Sequence, residues 1–228
     1  VKTKLDLVKD FRLTMGLPVN DEPTELSRES RELHARNIIE EAGEILEAIN
    51  PDGTINKLKA RDVSGDLLYF ALGLVAEAGL DWDEEECRYL ATEELFQFPD
   101  AELRYIFEDI VEVAGQLGSP DMVQETAHML CQYAIQIDAV IGELSWLDDD
   151  FLKIHAANMA KLWTSKQVDQ RFSPSSANMD ASLTETRVTD DGQWKLTIVG
   201  INRWVVRLNG KVQKPPGWKA AVLEGGAV

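Results

Sequence analysis

Residues 38–49 read Ile38-Ile39-Glu40-Glu41-Ala42-Gly43-Glu44-Ile45-Leu46-Glu47-Ala48-Ile49. On a helix, Glu40 and Glu44 stand four apart and Glu41 and Glu44 three apart. The three carboxylates therefore share one face, and Glu47 extends it by a turn. Like charges at this spacing destabilise a bare helix by about 0.2–0.5 kcal/mol per pair, and a divalent cation is the usual group that offsets the repulsion. One loop later Arg61-Asp62-Val63-Ser64-Gly65-Asp66 carries a second acidic pair four residues apart. Asp66 precedes an almost unbroken apolar run, Leu67 to Val75, and a carboxylate at the edge of such a run is hard to bury unpaired. An E-E-x-x-E string alone is common on solvated helices. The D-x-x-x-D pair on an otherwise apolar helix is what turns it into a site. Magnesium takes oxygen ligands and bridges to substrate phosphates, so the pattern suits it. No Cys/His cluster has zinc spacing, and His34 and His128 have no metal-like neighbours.

Two helices must position these groups. The loop Asn50-Pro51-Asp52-Gly53 is turn chemistry, and helices joined by a short loop lie antiparallel, which brings the Glu face to the Asp face. The pattern predicts helices over about 2–15, 27–49 and 57–78, the last ended by Gly79 as a C-cap. A short acidic helix at about 82–96, capped by Asp81, follows, then helices at about 101–117, 121–144 and 150–164, the last capped by Asp148 to Asp150. Residues 164–182 are polar with little periodicity and read as a linker. Strand signals follow from Thr184, with turns at Asp190-Asp191-Gly192 and Gly200–Asn202 and a type I′ hairpin signal at Asn209-Gly210. The end, Lys214-Pro215-Pro216-Gly217-Trp218, is extended.

A faint internal repeat joins the halves of the helical part. Arg36 to Glu44 has a counterpart in Arg104 to Glu112, so that Glu108, Asp109 and Glu112 fall where Glu40, Glu41 and Glu44 stand. Glu125 then falls on Asp62, but Met129 falls on Asp66. This reads as a duplicated helical hairpin with one competent copy, about 1–82, and one degenerate copy, about 100–147. Chance similarity of acidic amphipathic helices is the alternative.

At 228 residues, 44% of them hydrophobic, the chain has material for one domain plus an appendage. We expect a helical domain over 1–164, a linker over 165–182 and a small β unit over 183–228. The net charge of −17 disfavours a nucleic-acid polymer as partner, which needs a basic face, but not a nucleotide whose phosphates are neutralised by metal ions. Cys87 and Cys131 form no disulfide framework, which fits a reducing compartment. No apolar run reaches transmembrane length, and Val1-Lys2-Thr3-Lys4-Leu5 has no signal-peptide pattern. The expectation is a cytoplasmic protein without a membrane partner.

The E-E-x-x-E helix followed by an aspartate helix resembles the all-α NTP pyrophosphohydrolases, the MazG-like and dimeric dUTPase-like group that includes phosphoribosyl-ATP pyrophosphohydrolase. Three further stretches are similar to one MazG-like branch: Val8-Lys9-Asp10-Phe11 through Gly16-Leu17-Pro18-Val19, the helix Phe151 to Leu162 with His155-Ala156-Ala157-Asn158-Met159-Ala160-Lys161-Leu162, and Gly210-Lys211-Val212-Gln213-Lys214-Pro215-Pro216-Gly217-Trp218. There are departures. Val63 stands three before Asp66, where the family more often has a glutamate, so Asp62 takes the partner role. Residues 83–148 separate stretches that are nearly contiguous in shorter relatives.

The resemblance implies an all-α, MazG-like antiparallel bundle followed by the β meander. Family members usually dimerise around a four-helix core. We therefore expect a homodimer, unless the internal repeat supplies the second pair of helices as a pseudo-dimer. The implied activity is hydrolysis of a nucleoside triphosphate to the monophosphate and pyrophosphate, with dUTP or another unwanted nucleotide as substrate. Magnesium, or manganese in its place, would be held by Glu40, Glu41, Glu44, Asp62 and Asp66, and Glu41 would take the proton of the attacking water. Asn158, Lys161, His155 and Lys214 would meet the nucleotide, with a surface histidine satisfied by a neighbour as the other reading of His155. Trp163 and Trp218 read as packing. Phosphoribosyl-ATP hydrolysis is one alternative, and a silent nucleotide-binding or scaffold protein another. Nothing in the sequence selects a base.

Overall fold

The computed structural model describes residues 2–89, 102–142, 147–172, 184–200, 203–209, 211–219, 221 and 223. Its helices are α1 (Lys4–Thr14), α2 (Arg28–Ala48), α3 (Lys57–Ala78), α4 (Leu103–Gln116), α5 (Val123–Val140), α6 (Leu147–Met159) and α7 (Ser165–Phe172). The strands are β1 (Thr184–Thr189), β2 (Gly192–Gly200), β3 (Arg203–Leu208) and β4 (Lys211–Val212).

The apolar run that follows Asp66 makes α3 the central helix: from Leu67 to Ala78 almost every side chain is buried. A helix apolar all round must be enclosed. It packs most extensively on α5, then on α2, and also on α1 and α6. Helix α4 packs on both α2 and α5, so the hairpins α2–α3 and α4–α5 close a four-helix ring around one core containing Ile38, Ile45, Leu72, Ile110 and Leu130. Ser27 and Asn56 cap α2 and α3 through their side chains. Gly79 ends α3 in the left-handed conformation, φ 63°. A β-carbon there would stand 2.1 Å from the carbonyl oxygen of Glu22, so both backbone and space require glycine.

The strands form an antiparallel meander in the order β1-β2-β3-β4, with a bulge between Ile198 and Gly200. Thr189 pairs with Gly192 across the Asp190-Asp191 turn. Asn209 adopts φ 50°, as a type I′ turn requires; Gly210 lies outside the described residues. A second core of Trp163, Val168, Trp194, Leu196, Trp204 and Val206 joins this sheet to α7, and Trp163 pairs its backbone with Trp204. Arg207 ties the sheet to the helical part through the Met15 carbonyl.

Three expectations need correction. The stretch read as a linker begins with α7: Gln167 Oε1 accepts from the Thr164 backbone, and Thr164 Oγ1 accepts from Gln167, a capping box. Residues 173–183 lie outside the described residues. The helix after Gly79 is capped by Asp83, whose carboxylate accepts from the Glu85 and Glu86 amides, not by Asp81. It is described over 84–89 only, and residues 90–96 of the expected span lie outside the described residues. Helix α6 begins at Leu147, so Asp148 to Asp150 lie within it rather than before it.

Candidate active site

Glu41 on α2 and Asp66 on α3 line one cleft of about 190 Å³, together with Asn158 and Lys161 from the α6 end and Lys211 from β4. Glu44 and Asp62 line an adjoining shallow hollow with Asn56 and Lys59. The four carboxylates form one continuous acidic ribbon. Burial, then Glu44, pushes the Glu41 carboxyl up from its ordinary value. Burial, then Glu44, does the same to Asp62. Burial, then Glu41 and Asp62, raises Asp66 to about 7. Helix pairing thus places the two acidic segments side by side. Glu40 sits at the exposed rim and pairs with Lys211, and Glu47 pairs with Lys59.

The donor set is all carboxylate oxygen, which suits a hard divalent cation. Burial first, and then mutual repulsion, raise these three groups, and a bound cation would relieve the repulsion. Among the described residues, no three carboxylates stand close enough to ligate one ion together. The arrangement is therefore an open acidic ribbon rather than a preformed cage.

Cations face the ribbon from the opposite wall. Part-buried Lys161 has its pKa lowered, first by burial and then by Lys214 and Lys211, against the pull of Asp66 and Glu41. Its Nζ lies 5.8 Å from the Trp218 ring centroid, and Lys214 Nζ lies 4.2 Å from the same ring. Trp218 is itself fixed by donating to the Ala157 carbonyl at 2.8 Å. The tail is thereby held beside the cleft with its lysines grouped around one indole.

Among the contacts that seat α6 on α3, two bear on this position. Arg61, 2% exposed, donates from Nε and Nη2 to both oxygens of Asp150, 1% exposed, at 2.6 and 2.7 Å. A β-carbon on Gly65 would come within 2.0 Å of Ile154 Cδ1, so the missing side chain lets α6 approach α3 beside Asp66.

Inward of Asp66 the cleft continues into a smaller chamber of about 130 Å³ that shares Phe11, Leu17, Leu33, Asn37, Tyr69 and Phe70 with it. Arg12, His34 and Glu77 add a polar floor to these walls.

Of the residues expected to act, Glu41, Asp66, Asn158 and Lys161 line the cleft. Glu44 and Asp62 adjoin it, and Glu40 and Lys214 stand at its rim. His155 is not among the lining residues: its Nδ1 bonds the hydroxyl of Tyr69, a lining residue, at 3.1 Å. Trp163 packs in the second core and donates to the Gln213 carbonyl. On the second hairpin, Glu108, Asp109 and Glu112 are exposed, away from the cleft. Lys211, Asn37, Tyr69 and Phe70 escaped the sequence reading. Asn37 is four before Glu41, and Tyr69 and Phe70 are three and four after Asp66, so the helical period already set them on the acidic faces.

No curated protein and no solved structure matches the chain. A family model described as phosphoribosyl-ATP pyrophosphohydrolase matches residues 8–87, the span that holds the end of α1, all of α2 and α3, and Glu40, Glu41, Glu44, Asp62 and Asp66. Asn158, Lys161, Lys211 and Lys214 lie beyond it. Residues 8–87, about a third of the chain, are therefore similar to the phosphoribosyl-ATP pyrophosphohydrolase family, in keeping with the resemblance to the all-α pyrophosphohydrolases read from the acidic helices.

Proposed function

We propose that the protein hydrolyses a nucleoside triphosphate to the monophosphate and pyrophosphate, with magnesium or manganese held by Glu41, Glu44, Asp62 and Asp66 and by Glu40 once it leaves Lys211. The observation that carries this reading is the single cleft in which Glu41 and Asp66, from two helices, face Lys161 and Asn158 from a third. A cation bound there would neutralise the triphosphate and stabilise charge on the departing pyrophosphate.

The chain's own residues do the rest. Lys161, Lys211 and Lys214 form an arc of positive charge for the phosphates, and Asn158 orients the sugar or base. Glu41 accepts a proton as the water oxygen bonds to the α-phosphorus and the bond to the bridging oxygen breaks. Its raised affinity for protons suits that role, and its place beside Asp66 and Lys161 puts it where the phosphates would lie. The Lys211–Glu40 pair links β4 to α2 across the mouth of the cleft. Substrate phosphate would compete with Glu40 for Lys211, so binding and release of the carboxylate are coupled.

A second reading, phosphoribosyl-ATP as substrate, is favoured by the description of the family that matches residues 8–87. Pyrophosphate release from a panel of ribo- and deoxyribonucleoside triphosphates and phosphoribosyl-ATP, with magnesium and with EDTA, tests both. Release that requires the metal supports the reaction, and the preferred member separates the two readings. Silence across the whole panel with magnesium present leaves a nucleotide-binding or scaffold role instead.

A further inference from the structure

We propose that the tail beginning with β4 is a built-in counter-ion strap: its lysines keep a lone divalent cation off the acidic ribbon and give way when a polyphosphate arrives with the cation. The site thereby selects a metal–polyphosphate complex over the free metal. The inference rests on the reading that the ribbon binds a divalent cation.

The tail touches the ribbon at both ends. Lys211 on β4 pairs with Glu40 at one end. Ala221 and Leu223 line the hollow of Glu44 and Asp62 at the other. Its backbone is held by contacts in which the lysine charges take no part. Leu223, 9% exposed, packs into the helical core. The Gln213 carbonyl accepts from Trp163 Nε1 at 2.8 Å, and the Gln213 amide donates to the Val206 carbonyl at 2.8 Å. The Pro216 carbonyl accepts from Gln167 Nε2 at 3.1 Å, and Trp218 is tied to the Ala157 carbonyl of α6. Lys211 and Lys214 are exposed side chains on this fixed backbone.

The carboxylates of the ribbon already have cations of their own. Glu40 has Lys211. The cation whose charge acts most on Asp62 is Lys214. On Glu41 and Asp66 it is Lys161, with Lys211 next on Glu41. Lys161 shares the cleft with Glu41, Asp66 and Lys211. A divalent cation that enters alone has to displace these ammonium groups or sit among them, and like charges at close quarters oppose it.

A polyphosphate changes the balance. The Lys211 and Glu40 side chains are 52% and 56% exposed, and an exposed pair of this kind is weak. Charge-assisted bonds to phosphate oxygens are stronger, so the lysines exchange one partner for a better one. The cation then takes the carboxylates that they release. Both rows of charge are satisfied only when the two ligands are present together. Each ligand therefore raises the affinity for the other, and by linkage to the same extent.

Titration calorimetry with manganese alone, and with the preformed manganese–tripolyphosphate complex, tests this without turnover. The double variant Lys211→Met, Lys214→Met should bind manganese alone about tenfold more tightly than the parent, and the complex about tenfold more weakly. Lys195→Met removes an exposed charge of β2 that lines neither cleft nor hollow, and should change either affinity by about twofold at most because salt screens it. A tail whose lysines only dock it would weaken the complex and leave manganese no tighter. Manganese bound no more tightly by the double variant than by the parent, a complex bound no less tightly, an equal gain from Lys195→Met, or no binding of the complex by the parent would overturn the inference. The predicted pair of opposite shifts in a protein that hydrolyses no triphosphate would sink the catalytic reading and leave this one standing. Metal-dependent hydrolysis with manganese affinity untouched by the lysine variants would do the reverse.

Discussion

Glu41 and Asp66 are the residues on which the proposed reaction turns. Glu41→Gln removes the proton acceptor but keeps the shape of the side chain. Pyrophosphate release should fall by about 100-fold or more, while the far-ultraviolet circular dichroism stays that of the parent; retained turnover would remove Glu41 from the role. Asp66 yields a pH prediction for the metal-free protein. Its folded pKa is raised from 3.8 to about 7, so between those values the folded state binds more protons than the unfolded one. The sign of linkage then makes its contribution fully present below about pH 4 and lost as pH rises toward 7. At about 1.4 kcal/mol per pKa unit, the loss is on the order of a few kcal/mol. In EDTA, denaturant midpoints should fall over that window in the parent, and fall less in Asp66→Asn. At this scale the carboxylates were legible because helical spacing alone put them on shared faces. The polar floor of Arg12, His34 and Glu77 was not, because its members come from α1, α2 and α3 and only tertiary packing brings them together.

Helix α6 has to be clamped on α3 before Asn158 and Lys161 can face the acidic ribbon. The clamp is a two-bond ion pair, Arg61 with Asp150. Breaking a buried pair by removing one partner costs about 3–5 kcal/mol, and Asp150 supplies two charge-assisted bonds to Arg61. Asp150→Ala should lower stability by that order in urea unfolding. A measurement within about 0.5 kcal/mol of the parent would contradict the account of the clamp. In a fraction that stays folded, weakened binding of triphosphate would follow from the displaced Lys161. The long helices could be read from their apolar period, since each buries one stripe, or in α3 all round. Asp150 looked like a cap because an Asp run before an apolar segment is a start signal, and only its pairing with Arg61 shows otherwise. Helix α7 was passed over because Val168 and Phe172 are its only large apolar residues. Its Thr164–Gln167 box was the available sign. The meander was legible from its turns, whereas its use as a holder of Lys211 beside the cleft was not, because a strand pattern says nothing of where the sheet docks.

The whole molecule closes two helical hairpins into one ring. The first carries the acidic ribbon and the second completes its core. We propose that α4–α5 is a second copy of α2–α3 that keeps the packing role and has lost the site. A chain that carries both hairpins has no need of a partner for its core, so its mass in solution by light scattering should be that of one chain. A tight dimer would count against the pseudo-dimer reading. Among the described residues no helix is long and apolar enough to cross a membrane.

In the proposed reaction the carboxylates of α2 and α3 grip one cation together. Electron paramagnetic resonance of manganese titrated into the protein with a non-hydrolysable triphosphate analogue measures that grip. The parent should bind the ion saturably, and Glu41→Gln and Asp66→Asn should each weaken it by about tenfold or more. Manganese bound equally well by the parent and by both variants would contradict the central claim.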